Sequence, residues 1–486
     1  MRGLGVCLVV LACLWACADA KGRLFEKPIA FPDQLMNKAA NDVPIVDPPE
    51  RVAGYFKLNR TVDAHMFYFF YESRDKGPND PIILWMTGGP GCSSEIAIFY
   101  ENGPYSLAHN MTLLDNPFGW DKHASVIYVD QPINTGFSYS EDPRDDVSGE
   151  HQVAEDMLDF LQEFFEARPH LANREFFISG ESYAGHYCPA VANKVYRASE
   201  LGQGPPIKLR GVAIGNGLTK PSVQYGAYAD YALQEGLISQ GTRDGIMWWY
   251  PLCRWGSEFC SKHKWGWLCG LTLQYCQATI FGRILMSKPG INYYDIRKQC
   301  LGSLCYDFSD ADKFLNSAAV KKVLGVDQEQ QWQECNMLVN AQFYGDFMRD
   351  FSLKLVPLLE DKVRVMIYAG DRDLICNWLG NRRWVDQLQW EGAQGWSQAQ
   401  DKAWMVQGKQ AGLVTSYDTL SFVKVFEAGH MVPMDQPAAA LDMITRFMRD
   451  NNLADTDDIY SSTAAQKQQQ QQPRLPTTEV AGTAVV

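Results

Sequence analysis

The stretch Phe176-Phe177-Ile178-Ser179-Gly180-Glu181-Ser182-Tyr183-Ala184-Gly185 sets a serine between two glycines directly behind an apolar run. Glycine, any residue, serine, any residue, glycine is the pattern of a strained strand-to-helix turn that lifts a serine oxygen clear of the backbone, and this stretch resembles it with Ala184 in the last place and the second glycine one position later, at Gly185. The glycines remove side chains that would clash there. The same five residues arise by chance in unrelated loops, so their weight depends on what flanks them. A strand-like segment before and a helical pattern after are the context that a nucleophile elbow on an α/β sheet requires.

Working outward, apolar runs at 82–85, 126–129, 175–178, 209–214, 363–368 and 423–426 read as buried strands. Helical patterns lie between some of them, most clearly at 153–167, from the elbow onward, and at 438–448 after Pro437. Alternating β and α segments predict an α/β-hydrolase fold around a central, mostly parallel mixed sheet. Between 217 and 350 the alternation lapses and cysteines and aromatics crowd together, as expected of an inserted disulfide-rich cap. The core is accordingly expected at 41–216 and 351–455. The segment 461–486, with glutamine unbroken from Gln468 to Gln472, reads as a low-complexity tail.

With 486 residues, 46% of them hydrophobic, the chain can bury a large core. A formal charge of −13 argues against nucleic acid as a partner. Arg2, the apolar run from Leu4 to Ala16 and the small residues Ala18-Asp19-Ala20 have the layout of a secretory signal peptide over 1–20, too short to cross a membrane. No later run is long enough for a span, so the expected location is the secretory pathway, ending in a vacuole or lysosome or outside the cell. The segment 21–40 is a candidate pro-segment. In that compartment Asn59-Arg60-Thr61 and Asn110-Met111-Thr112 become glycosylation acceptors.

Of 13 cysteines, Cys7, Cys13 and Cys17 lie in the leader. Four of the remainder fall between Cys253 and Cys276, which reads as a stapled insertion. A zinc site would call for paired ligands two residues apart, and no such cysteine pair occurs. No metal and no cofactor is expected.

An α/β-hydrolase sheet orders its reacting groups serine, acid, histidine along the chain. After Ser182 come only His186, His263 and His430. His186 is one turn into the elbow helix and His263 sits in the cysteine-rich insertion, which leaves His430, in a loop after the strand at 423–426. The strand at 363–368 runs into Asp371-Arg372-Asp373, and spacing does not choose between the two aspartates. An oxyanion hole would take one amide from Tyr183 and another from the turn Thr87-Gly88-Gly89-Pro90-Gly91. That turn lacks the lysine and Ser/Thr of a phosphate-binding loop.

Longer blocks carry a family resemblance. Trp85-Met86-Thr87-Gly88-Gly89-Pro90-Gly91-Cys92-Ser93-Ser94, Glu101-Asn102-Gly103-Pro104, Asp130-Gln131-Pro132, Gly136-Phe137-Ser138-Tyr139-Ser140, the elbow through His186-Tyr187, and Gly429-His430-Met431-Val432-Pro433 resemble the serine carboxypeptidases. The run from Gly370 to Asn381 is similar to the carboxypeptidase Y-like branch. The resemblance implies release of single C-terminal residues from peptides and proteins at acid pH, through an acyl-enzyme. It implies Ser182 as nucleophile, His430 as base, Asp373 rather than Asp371 as its acid, and the amides of Gly89 and Tyr183 as oxyanion hole. Glu181, sharing a proton with Glu101, would bind the substrate carboxylate, helped by Trp85, Thr87 and Gly88. Ile375, Cys376 and Phe347 would line the pocket for the retained residue, Met431 and Tyr100 that for the released one. The family pairing implies disulfides Cys92 with Cys335, Cys253 with Cys276, Cys260 with Cys269 and Cys300 with Cys305, leaving Cys188 and Cys376 free.

One departure bears on activity. Thr87 stands where the family usually has asparagine, as in acyltransferases that arose from it, but those tend to carry aspartate before the nucleophile and this chain keeps Glu181. Hydrolysis is therefore the favoured expectation. An acyltransferase using the same residues, or a protective partner in a lysosomal-type complex, is the alternative. A monomer or homodimer is expected.

Overall fold

The computed structural model describes residues 24–36, 49–263, 265–302, 304–450 and 453–454. The expected signal peptide, the tail at 461–486 and the end of the candidate pro-segment lie outside them.

Thirteen strands form: β1 (Leu24–Pro28), β2 (Arg51–Lys57), β3 (His65–Tyr71), β4 (Ile82–Met86), β5 (Tyr105–Leu107), β6 (Leu113–Asp115), β7 (Ser125–Val129), β8 (Phe176–Glu181), β9 (Leu209–Gly215), β10 (Arg364–Gly370), β11 (Lys402–Val406), β12 (Lys409–Tyr417) and β13 (Leu420–Val425). All but the β5–β6 hairpin join one 11-stranded sheet in the order β1-β2-β3-β7-β4-β8-β9-β10-β13-β12-β11. The six strands from β7 through β13 run parallel, as the α/β pattern predicts. Antiparallel strands extend both edges, β1 to β3 on one side and β12 and β11 on the other. These five were not anticipated from the sequence. β1, at the start of the candidate pro-segment, is hydrogen-bonded along β2.

The parallel strands are apolar on both faces because helices cover both. On β4, Ile82, Leu84 and Met86 face the helices Glu150–Ala167 and Ala184–Glu200. Ile83 and Trp85 face the opposite layer, which includes Pro437–Met448. Between 217 and 350 the described chain forms helices joined by irregular segments and contributes no strand to the sheet. Its first half, with Tyr225, Tyr228, Leu273 and Ile280, builds a third apolar cluster above the strand ends. Phe308, Phe314, Val320 and Leu324 instead join the cluster on the sheet face.

Disulfides bridge Cys92–Cys335, Cys253–Cys276, Cys260–Cys269 and Cys300–Cys305, while Cys188 and Cys376 are free and buried. Asn59 and Asn110 are both exposed. Asn110 Oδ1 accepts from the Thr112 hydroxyl at 2.7 Å. Among the described residues no helix is long and apolar enough to cross a membrane, and no group of three His, Cys, Asp or Glu side chains is placed to hold a metal.

Candidate active site

Every residue of β8 is buried, so the elbow starts from a fixed base. Ser182 follows with φ +65°, a left-handed conformation that costs a non-glycine residue about 1 kcal/mol or more. Its backbone is held from three sides: Ser182 N–H donates to Gly215 O at 3.1 Å, and Ser182 O accepts from Gly185 N and Leu218 N, both at 3.0 Å. Gly185 permits that approach, since a Cβ there would lie 2.5 Å from Leu218 O. The helix begins at Ala184, so its positive end faces the space in front of the serine.

His430 is 2% exposed and shares the cleft with Ser182. Its Nδ1 lies 2.8 Å from Asp373 Oδ2, while Nε2 is buried without a hydrogen-bond partner among the described residues. Its amide donates to Tyr294 O at 2.7 Å, and the two rings pack at 4.9 Å. Asp373 is fully buried and accepts from Ile375 N at 3.0 Å, Cys376 N at 3.2 Å and Asn216 Nδ2 at 2.7 Å. The ambiguity left by the spacing of the two aspartates is thereby resolved in space: Asp371 pairs with Arg372 at 3.5 Å, away from the imidazole. Asn216 was missed by sequence reasoning. Its signal was Gly215-Asn216-Gly217 at a strand end, where asparagine tolerates the φ of +39° it adopts.

The other histidines are elsewhere engaged. His186 Nδ1 donates to Leu218 O at 2.5 Å beneath the elbow, and burial pushes its pKa down to about 4, so it is neutral. His263 ends the helix Tyr250–Lys262 against Phe259, at 4.4 Å between rings.

β4 delivers the glycine-rich turn alongside the elbow. A Cβ on Gly88 would lie 2.4 Å from Tyr183 N, so only glycine lets the two backbones meet. Among the described residues neither the Gly89 nor the Tyr183 amide has an acceptor within the protein. Both flank Ser182 at the cleft wall. Trp85 does not reach the cleft. It is fully buried, and its Nε1 donates to Thr87 Oγ1 at 3.0 Å, which fixes the hydroxyl that does line the cleft.

Behind the serine, Glu101 and Glu181 are buried against one another. Burial, then repulsion by Glu101 and the hydrogen bond to it, holds Glu181 well above the usual carboxylate range. Glu101 is pushed up by burial to about 7. Neither Glu101 oxygen has a donor from any other group among the described residues, and burial favours keeping protons on the pair.

The cleft offers about 120 Å³ to the centres of water-sized molecules. One wall carries Phe347, Ile375 and Cys376 with Tyr225 and Tyr228, and the other Met431 with Ile96, Tyr306 and Phe308. Burial keeps the Cys376 thiol neutral by raising its pKa well above normal. Tyr100 does not line the cleft: its ring packs at 4.8 Å behind Phe308, which takes the position expected of it. Tyr225, Tyr228, Tyr294, Tyr306, Phe308 and Glu334 were missed. They come from the helical insertion, where no periodic signal marks which aromatics turn inward.

Comparison with known proteins shows the family of the chain and its fold. The family described as serine carboxypeptidase matches residues 44–450. "Serine carboxypeptidase-like 47" of Arabidopsis thaliana is 47% identical over 427 residues, covering 88% of this chain and 84% of that protein. "Carboxypeptidase Y" of Candida albicans is 42% identical over 411 residues, covering 83% of this chain and 74% of that protein. In fold, the chain is similar to KEX1(DELTA)P, a prohormone-processing carboxypeptidase from Saccharomyces cerevisiae. The TM-score is 0.78 at 24% identity, covering 87% of this chain and 96% of that one.

Proposed function

The chain belongs to the serine carboxypeptidase family, and from that premise we propose that it hydrolyses the C-terminal peptide bond of peptides and proteins at acid pH. Ser182 Oγ attacks the scissile carbonyl carbon as His430 Nε2 takes its proton. Asp373 holds the imidazole through Nδ1 and stabilises its charged form. The amides of Gly89 and Tyr183 receive the oxyanion. Collapse breaks the C–N bond, the departing amino acid takes the proton from His430, and Ser182 keeps the acyl group. A water deprotonated by His430 then releases the shortened peptide and restores the serine.

The observation that carries this reading is the pair of buried carboxyls Glu101 and Glu181 next to Ser182, whose burial favours their protonated forms. A plain serine hydrolase has no use for it. A protonated carboxyl pair, with the Thr87 hydroxyl and the Gly88 segment, can hydrogen-bond a free terminal carboxylate and so restrict attack to the last peptide bond. Four disulfides fit an oxidising compartment of the secretory pathway.

The test is a fluorophosphonate label followed by an N-blocked dipeptide. Stoichiometric labelling at Ser182 with release of the free C-terminal amino acid is expected; unlabelled Ser182 in folded protein would sink every enzymatic version. Thr87 favours a second assay, an activated acyl ester with an alcohol acceptor. Transfer that outpaces dipeptide hydrolysis would make the protein an acyltransferase.

Asn216 enters as a positioning residue for Asp373. Asn216→Ala is expected to lower kcat/KM about tenfold, the worth of one hydrogen bond to a charged group. Steady-state kinetics at fixed pH check it, and a change under twofold would remove Asn216 from the mechanism.

A further inference from the structure

Glu334 lines the catalytic cleft, half-exposed, and its place is fixed by its neighbours. Glu334 O accepts from Ser93 N at 3.0 Å, and Cys335 is bridged to Cys92, just beyond the glycine-rich turn. Two residues earlier, the buried Trp332 donates from Nε1 to Ser93 Oγ at 3.0 Å. Glu334 thus lines the cleft together with Ile96, Phe308 and Met431 and with Phe347 and Ile375, and its charge acts on the nearby Tyr100.

No ion pair or hydrogen bond engages that carboxylate among the described residues. The charged groups facing it are Asp307 and Asp312, both acidic. A partly desolvated carboxylate without a neighbouring cation is an unfavourable arrangement. It becomes favourable when a bound molecule brings the positive charge.

We propose that Glu334 sets the preference for the released residue, admitting lysine or arginine by pairing with its charged end while Ile96, Phe308 and Met431 cover its aliphatic stem. This rests on the carboxypeptidase reading above and adds the substrate class to it. Burial and the two aspartates raise the Glu334 pKa to about 7. Below that value the group is a neutral acid and apolar residues are accepted as well. As pH rises through it, the carboxylate forms and the preference moves toward cations.

The experiment uses two N-blocked dipeptides that differ only in a C-terminal lysine or norleucine, which match in length but not in charge. Their ratio of kcat/KM cancels every pH effect on chemistry and on the terminal carboxylate. For the unaltered enzyme the lysine-to-norleucine ratio is expected to rise about fivefold between pH about 5 and about 7.5, as a partly exposed ion pair is worth about 1 kcal/mol. In Glu334→Gln the ratio should be flat with pH. Glu334→Lys should invert it and favour a C-terminal glutamate over lysine. Fluorophosphonate labelling of each variant establishes that it is folded.

A ratio that is the same in all three proteins overturns the assignment of Glu334 while leaving the carboxypeptidase reading standing, since norleucine is still released. Release of neither amino acid by labelled, unaltered enzyme overturns both.

Discussion

Ser182→Ala is expected to lower kcat by a factor on the order of 10⁵ to 10⁶ while leaving the thermal midpoint nearly where it was. The two halves of that expectation have separate physical origins. The elbow is held through the Ser182 backbone, by Gly215 O and by the amides of Gly185 and Leu218, and alanine keeps all three bonds. The hydroxyl makes no hydrogen bond among the described residues, so its loss removes nothing from the fold. In the proposed mechanism what it removes is the atom that forms the acyl-enzyme. His430→Ala should cost nearly as much, because a serine without its base is a poor nucleophile at the pH of the assay. The double variant should be no worse than either single one, since the groups act as a unit. Additive losses in the double variant would mean that Ser182 and His430 serve different steps, and residual activity within tenfold of normal in Ser182→Ala would place the chemistry elsewhere.

The legibility of this molecule from its sequence divides along a physical line. Local geometry was readable: a strand ending in a serine between glycines has few structures open to it, and the elbow forms as β8, Ser182 and the helix Ala184–Glu200. The six parallel strands were readable too, because burial on both faces makes them continuous apolar runs. The edge strands were harder. β12 is exposed at both ends and buried or half-buried only in its middle, and it carries Lys409, Gln410, Thr415 and Ser416, which leaves a weak apolar signal. What no local pattern gives is the meeting of distant segments. Asp373 could be separated from Asp371 only by the family resemblance, since the distinction lies in which carboxylate the amides of Ile375 and Cys376 and the side chain of Asn216 turn toward His430. Tyr100 and Phe308 make the same point: two aromatics 4.8 Å apart in space are far apart in the chain, and only one can face the cleft.

Glu181→Gln is expected to flatten the rise of KM toward neutral pH. The sign follows from which form binds. Glu181 is held well above the usual carboxylate range by burial and by Glu101, and Glu101 is itself raised by burial to about 7. A raised acid stays protonated over the acid range, so the pair keeps its proton there and can donate to, or share a proton with, an incoming carboxylate. As pH rises through about 7 Glu101 ionises and the pair gains negative charge, and KM should climb by up to tenfold per pH unit. Glutamine at 181 keeps a donor at every pH and leaves a single ionisable group, so the climb over the same range should shrink to less than about threefold. Glu101→Gln should do the same from the other side, because the proton belongs to the pair and not to one residue. The effect should fall on KM more than on kcat, since the pair meets the end of the substrate and not the carbon under attack. A peptide ending in a carboxamide supplies the control: with no terminal charge to repel, its KM should not climb with pH in any of the three proteins. If KM for the free acid climbs equally in all three, the carboxyl pair is not what reads the terminus. If the amide climbs as steeply as the acid, the pH dependence belongs to the chemistry and not to the terminus, and the acid preference has a different origin.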